Sequence, residues 1–380
     1  MRMRLRQLVV AGCVVVSGLA VPSGAQVTKD ASAPAPDPRA MRFFQRSISW
    51  FPDSAFRLVE NTTYQTPTGS YRFVGVERTC ASDLLTGTTS ALIDESADTI
   101  WVGSVGELPS QGMGKDTESL KTFLSGFLPE AMQASMGLRV KLKWNTGPRK
   151  PGAILPLDLL VDTGYGETIR QAGVSADGKY LVMGSEMSLK DDPVAARRRL
   201  LAESDVVVWD TDGERGSKVE IVEFSDFECP ACKNKWPSIA KVLEQEGDAV
   251  SHGMVSYPLT MIHPWAFRAA NAAWCVARQN PRSLIPLKET FYTLQREMEV
   301  AEVTPTAVDF VAGQGLDEDA FLACYLKNPS IDAVHRQMNL GNTLGVHSTP
   351  TYVVNGWMVQ LPDGSWFPDM VARMVAGEEP

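Results

Sequence analysis

Hydrophobic and polar positions change period several times along the chain, and each change predicts an element. Residues 206–209 and 219–224 are short, mostly apolar runs that read as two strands, the second carrying Glu220 and Glu223 among Val219, Ile221, Val222 and Phe224. Ser225-Asp226-Phe227-Glu228 ends that run, and Cys229-Pro230-Ala231-Cys232 follows it. Apolar positions then recur at Trp236, Ile239, Val242 and Leu243, which is helical spacing. From 258 to 344 the period stays helical, with helices predicted over 265–278, 287–299, 306–312 and 318–326. Strand character returns at Tyr352-Val353-Val354 and over 357–361, with Asn355-Gly356 as the hairpin turn between them.

The N-terminal half reads as an internal duplication. Ser49-Trp50-Phe51-Pro52-Asp53 has an echo in Gly126-Phe127-Leu128-Pro129-Glu130, each placed to open or interrupt a helix. Strand-like runs follow at 71–76 and 154–161. Each copy closes on a hairpin, 91–94 to 101–103 in the first and 173–175 to 181–184 in the second, which turns at Asp177-Gly178. The repeat distance of about 77 to 81 residues predicts two small α+β modules, 41–110 and 116–190. Between them, Gly112-Met113-Gly114-Lys115 lacks the leading glycine of a phosphate loop and has Asp116 in place of a magnesium-binding hydroxyl, so it reads as linker. Asp192-Pro193 opens a further helix, a connector over 191–204 whose Arg197-Arg198-Arg199 reads as a solvated face.

Composition narrows the class. Hydrophobic residues at 44% and charged ones at 21% exclude a mainly disordered chain. The net charge of −9, with no strongly basic segment, argues against a nucleic-acid partner. Arg2, Arg4 and Arg6 precede an apolar run from Leu8 to Val21, and Ser23-Gly24-Ala25 supplies small residues for cleavage, so residues 1–25 read as an export leader. The run is short for a membrane span. Lipid anchoring at Cys13 is disfavoured, because the apolar segment continues beyond Val10-Ala11-Gly12-Cys13. Pro34, Pro36 and Pro38 mark 26–40 as an extended tether. The expected product is soluble and acidic, in the periplasm or another extracytoplasmic compartment where disulfides persist. It keeps Cys80, Cys229, Cys232, Cys275 and Cys324, an odd number, with Cys80 read as a buried free thiol.

The chemistry concentrates at Cys229 and Cys232. A strand, a short loop and a Cys-x-x-Cys at a helix mouth put the first sulfur where free backbone N–H groups and the positive helix end favour a thiolate. The second lies about one turn in, within reach of a disulfide. Structural zinc would need a second close ligand pair, and the other cysteines and the four histidines are scattered.

Residues 205–378 resemble the DsbA-like thioredoxin-fold thiol:disulfide oxidoreductases. Glu223 lies six residues before Cys229, where that family places a buried acid that shuttles protons near the resolving cysteine. Alternation sets it in an apolar layer with Val219 and Ile221, so a raised pKa is expected. Pro237 matches the family's kink in the active-site helix, and Ser348-Thr349-Pro350-Thr351 is similar to its cis-proline loop. The resemblance implies an α/β thioredoxin fold with a helical insertion, 258–344. It makes Cys229 the attacking sulfur and Cys232 the resolving one, with Glu223 assisting, and Thr349 and Pro350 holding a substrate strand. No metal or organic cofactor is implied. Some members join insertion helices with a second disulfide, which would pair Cys275 with Cys324; two small buried hydrophobes is the alternative. His263 and His347 lie where they could touch the site, and Trp236, Trp265 and Tyr257 where they could line a groove, but structural or core roles are favoured for all five. Residues 174–184, followed by the connector helix, are similar to the end of the dimerisation domain of DsbC/DsbG-like isomerases. Two such modules in one chain would pair with each other and leave a monomer; a dimer through them is the alternative.

The expected function is an exported thiol:disulfide oxidoreductase acting on protein cysteines, recharged by a soluble or membrane-bound redox partner. Pro230-Ala231 lacks the histidine that DsbA carries between its cysteines, and a threonine before the cis-proline is more like the isomerase and reductase branch. A less oxidising pair is therefore expected, with oxidase, isomerase and reductase left open. The rival class is a non-catalytic periplasmic binding protein or holdase chaperone on the same scaffold.

Overall fold

The computed structural model describes residues 37–47, 54–66, 68–79, 87–109, 116–145, 152–210, 217–359 and 366–379. The leader with Cys13, nearly all of the tether, Cys80, the segment 49–53 and the linker 112–115 fall outside them. The chain divides into two units, one built mainly from residues 53–191 and the other from 192–380.

The first unit is sheet-rich. In chain order come helix α1 (Pro38–Ser47) and strands β1 (Ala55–Thr66), β2 (Gly69–Thr79), β3 (Gly87–Asp94) and β4 (Thr99–Glu107). Helix α2 (Thr117–Met136) and strands β5 (Val140–Trp144), β6 (Ile154–Asp162), β7 (Glu167–Ser175) and β8 (Tyr180–Ser188) repeat that order. All eight strands form one sheet, β1-β2-β3-β4-β8-β7-β6-β5, so the halves meet along their last strands. Helix α2 is capped by Asp116, which accepts the Ser119 N–H, and by Gly137 at φ 69°. Its buried stripe Leu120, Leu124, Leu128 and Met132 packs on Leu157, Leu159, Val161, Ala172 and Val174. That packing carries the helix straight through Pro129, so the segment 126–130 neither opens nor interrupts it.

Glycine is required where the halves join. Gly103 of β4 lies opposite Gly184 of β8 in an antiparallel register. A Cβ on Gly103 would sit 2.1 Å from the Met183 carbonyl oxygen, and one on Gly184 would sit 2.0 Å from that of Val102. Replacing Gly103 with Val is expected to cost roughly 1 to 3 kcal/mol through forced separation of the strands. A urea melt checks this, and an unchanged midpoint would show that the seam does not need the close approach.

The second unit begins with α3 (Pro193–Glu203) and edge strand β9 (Val208–Trp209), then β10 (Val219–Ser225), α4 (Pro230–Glu246) and β11 (Val250–Ser256). Helices α5 (Ala266–Gln279), α6 (Leu284–Leu294), α7 (Val303–Gly313), α8 (Glu318–Tyr325) and α9 (Asn328–Leu344) form the insertion. Strands β12 (Thr351–Val354) and β13 (Trp357–Val359) and helix α10 (Phe367–Val375) close the chain. The sheet order is β13-β12-β10-β11-β9, with β10 and β11 parallel and the other pairs antiparallel. Asn355 and Gly356 turn β12 into β13 with φ of 46° and 88°, as a two-residue hairpin needs.

Two elements differ from the sequence reading. Helix α3 is packed rather than a free connector: Val194 and Leu201 enter the hydrophobic clusters of the second unit. Arg197 on it is buried, not solvated, and donates to the carbonyls of Ser47 (2.7 Å), Arg46 (3.3 Å) and Gly356 (3.4 Å). Those acceptors hold a guanidinium that burial, against the Asp192 charge, pulls down to about 10. Helix α9, unpredicted because Pro329, Gly341 and several polar residues blur its period, places Val334 and Met338 in the core. Within the insertion, Cys275 of α5 and Cys324 of α8 form a disulfide, their Cα atoms 5.8 Å apart. Closing that separation removes about 4 kcal/mol of unfolded-chain freedom on the chain-entropy model.

Candidate active site

Strand β10 ends at Ser225 in the middle of the sheet, and the loop 226–228 delivers Cys229 to the N-cap of α4. Pro230, which needs no N–H partner, takes the first helical position. Pro230 and Ala231 face outward, while Cys229 is only 6% exposed and Cys232 is fully buried. Both cysteines are thiols here. Opposite them runs the loop before β12, where the Thr349–Pro350 peptide bond is cis. The Cys229 thiol donates to the Thr349 carbonyl oxygen at 3.4 Å.

The two sulfurs differ in acidity. Cys229 is lowered to about 6, chiefly by the hydrogen bond from the Cys232 thiol, with help from the Thr349 side chain and the Cys232 N–H. Burial and the Asp226 charge oppose this. Cys232 is pushed well above the usual thiol range by burial, and by the Cys229 and Glu223 charges. One sulfur thus ionises readily, while its neighbour keeps its proton.

Beneath them lies a buried network that the sequence reading did not foresee. Glu223 Oε2 accepts from Lys288 Nζ at 2.6 Å and lies 3.3 Å from His252 Nε2. His252 Nδ1 is 2.7 Å from Asp210 Oδ1. Lys288, from α6, also sits 3.9 Å from the centre of the Trp236 ring. Glu223 is therefore not raised, as its apolar strand suggested. Burial does push it up, but the Lys288 charge and the His252 hydrogen bond and charge outweigh that and bring it to about 2. His252 is pulled down by burial, yet Asp210 and Glu223 raise it to about 9. Two anions and two cations close the balance in a region with no exposed side chain.

The loop before Cys229 is stitched to the start of the insertion. Asp226, buried, accepts the Glu228 N–H (2.8 Å) and the Leu259 N–H (2.8 Å), and pairs with His263 Nδ1 (2.7 Å). Glu228 accepts the N–H groups of Trp265 (2.7 Å) and Ala266 (2.9 Å) and is raised to about 7 by burial. His263 thus reaches the motif, whereas His347 is exposed. Trp236, Trp265 and Tyr257 are all core side chains. Strand β11 was not anticipated, although a histidine inside Val250-Ser251-His252-Gly253-Met254-Val255 is the kind of buried polar residue that demands a partner.

Residues 210–365 match the family model for Thioredoxin. The C-terminal half carries a thioredoxin-fold domain. Among solved structures, ScsC from Proteus mirabilis is 18% identical and covers 49% of this chain and 80% of its own, at a TM-score of 0.40. BdbD from Bacillus subtilis is 22% identical and covers 43% and 91%, at 0.39. Curated relatives carry the name Na(+)/H(+) antiporter NhaA. One from Salinispora tropica is 28% identical over 144 residues, 38% of this chain and 21% of that one. One from Herminiimonas arsenicoxydans is 27% identical over 144 residues, 38% and 22%. The chain spans about a fifth of the length of these relatives, and the shared stretch is a minor part of each. No helix among the described residues is long and apolar enough to cross a membrane. The thioredoxin-fold domain holds the cysteine pair beside the cis-proline loop.

Proposed function

We propose that the protein is an exported thiol:disulfide oxidoreductase that exchanges disulfides with protein cysteines through Cys229 and Cys232. The observation that carries this reading is the placement of the pair: Cys229 caps α4 and meets the Thr349 carbonyl of the facing loop at 3.4 Å, with Cys232 fully buried one turn further in, an arrangement that drives the two acidities apart. In the reducing direction the Cys229 thiolate attacks a substrate disulfide, forms a mixed disulfide and releases one substrate thiolate. Cys232 then gives up its proton and attacks Cys229, and the second substrate sulfur leaves. Two electrons pass to the substrate, and the Cys229–Cys232 disulfide remains for a redox partner to reduce. Run backwards, the same steps oxidise a substrate dithiol.

Thr349 and Pro350 present backbone groups to the substrate strand next to Cys229. Glu223, at about 2, is too weak a base to ionise Cys232 directly. Its part is electrostatic: it holds the Cys232 proton in place until Cys229 has been captured by substrate. The exported compartment belongs to the same proposal and rests on the leader pattern of residues 1–25.

The test is dithiol-dependent insulin reduction together with trapping by Cys232→Ser. The unsubstituted protein is expected to turn over insulin disulfides, and C232S to accumulate covalent adducts through Cys229. Absence of both activity and adducts would favour the non-catalytic binding or holdase reading.

A further inference from the structure

A dithiol motif whose first sulfur is acidic usually has a cation nearby, and Pro230-Ala231 supplies none. The residue in contact with the motif's base is His263, which arrives from the segment between β11 and α5. Asp226 is the hub. Its main-chain carbonyl accepts the Cys229 N–H at 3.1 Å, while its buried carboxylate pairs with His263 Nδ1 at 2.7 Å. The same carboxylate holds the Glu228 and Leu259 N–H groups, so imidazole, carboxylate and cysteine are fixed in one short chain. An unneutralised Asp226 works against the thiolate.

We propose that His263 is the charge partner of Cys229, a positioning residue that neutralises Asp226 from outside the dithiol motif and so sets how readily Cys229 ionises. The inference rests on Cys229 being the exchanging sulfur. The charged groups that face His263 are Asp226, Cys229 and Glu228. Burial pulls the imidazole down, but these three raise it overall, Asp226 most. It therefore holds its proton more firmly than a free imidazole does. A redox-linked charge follows: when Cys229 is in a disulfide its negative charge is gone, and His263 must then release its proton more easily.

Two measurements test this on the full chain. The first is the pH dependence of iodoacetamide alkylation at Cys229, read by mass spectrometry. His263→Gln keeps a hydrogen-bond donor and loses the charge. It is expected to slow alkylation near pH 6 roughly two- to fivefold, an upward shift of about half to one pH unit in midpoint, with the alkaline plateau unchanged. His263→Lys restores a cation and should return the midpoint towards the original. Packing damage alone would move the plateau, not the midpoint, and would not be rescued by lysine. Coincident midpoints for H263Q and the unsubstituted chain would overturn the proposal.

The second needs no variant: the His263 ring protons are titrated by NMR in dithiol and disulfide forms. A lower midpoint in the disulfide form is expected, and equal midpoints would likewise overturn it, even if H263Q failed to fold. Neither readout uses disulfide exchange. Loss of insulin reduction with the midpoint shift intact would therefore sink the proposed function and spare this one.

Discussion

Replacing Lys288 with Met is expected to remove about 3 to 5 kcal/mol of folding stability at neutral pH, because it leaves a buried carboxylate one cation short. Glu223 and Lys288 are both fully buried, 2.6 Å apart, and His252 alone then faces two anions, Glu223 and Asp210. The sign with pH follows from Glu223. Its folded value, about 2, lies below its ordinary value of 4.5, so ionised Glu223 adds stability above about pH 4.5 that is lost as pH falls towards 2. In K288M the burial effect dominates, the folded value rises, and the same carboxylate now destabilises at neutral pH. The gap between the two proteins should therefore be widest near pH 7 and shrink steadily towards pH 2, as Glu223 protonates first in the variant and only last in the unsubstituted chain. Glu223→Gln added to K288M should recover part of the loss, since removing both charges is far cheaper than stranding one. Urea melts at pH 4 and 7 decide it. A cost below about 1 kcal/mol, equal at both values, would mean that the network is solvated in solution.

That network marks the boundary of what the sequence can disclose. The cysteine pair, the helix it opens and the Asn355-Gly356 turn are local: each is written in adjacent residues whose backbone requirements are specific. The carboxylate at 223 is equally legible as a buried acid, but its acidity is not, because that depends on who stands beside it. Lys288 lies 65 positions away on an insertion helix, and His252 lies 29 away on the neighbouring strand. Neither position carries a pattern of its own, and only tertiary packing brings them to Oε2. Arg197 failed for the same reason: three consecutive arginines suggest a wet face, yet one turns inward to carbonyls from distant segments. The N-terminal repeat was visible as two hairpins, whereas their fusion into one sheet depends on Gly103 meeting Gly184, a pairing across about 80 residues. Pro129 was over-read, since a buried Leu120–Leu124–Leu128–Met132 stripe outweighs one lost helical hydrogen bond.

The dithiol should show the largest contrast of all. With Cys229 at about 6, about nine-tenths of it is thiolate at pH 7, whereas Cys232, well above the usual range and fully buried, is almost entirely protonated. Alkylation of the reduced protein at pH 7 should therefore label Cys229 at least about a hundredfold faster than Cys232, with a rate midpoint near pH 6. Cys229→Ser should abolish both fast labelling and insulin reduction. The same acidity bears on direction. Stabilising the thiolate stabilises the dithiol form and makes the disulfide a stronger oxidant, by about 30 mV per pH unit for a two-electron couple. Counting from a thioredoxin-like thiol near 7 and about −270 mV, or from a DsbA-like one near 3.5 and about −120 mV, places this pair between roughly −240 and −190 mV. On the proposed function, that window would suit a reductant or isomerase better than a dedicated oxidase. Equilibration against glutathione measures it directly. A value near −120 mV would make the pair a strong donor of disulfides, and would require a cation at Cys229 far more effective than a half-buried histidine.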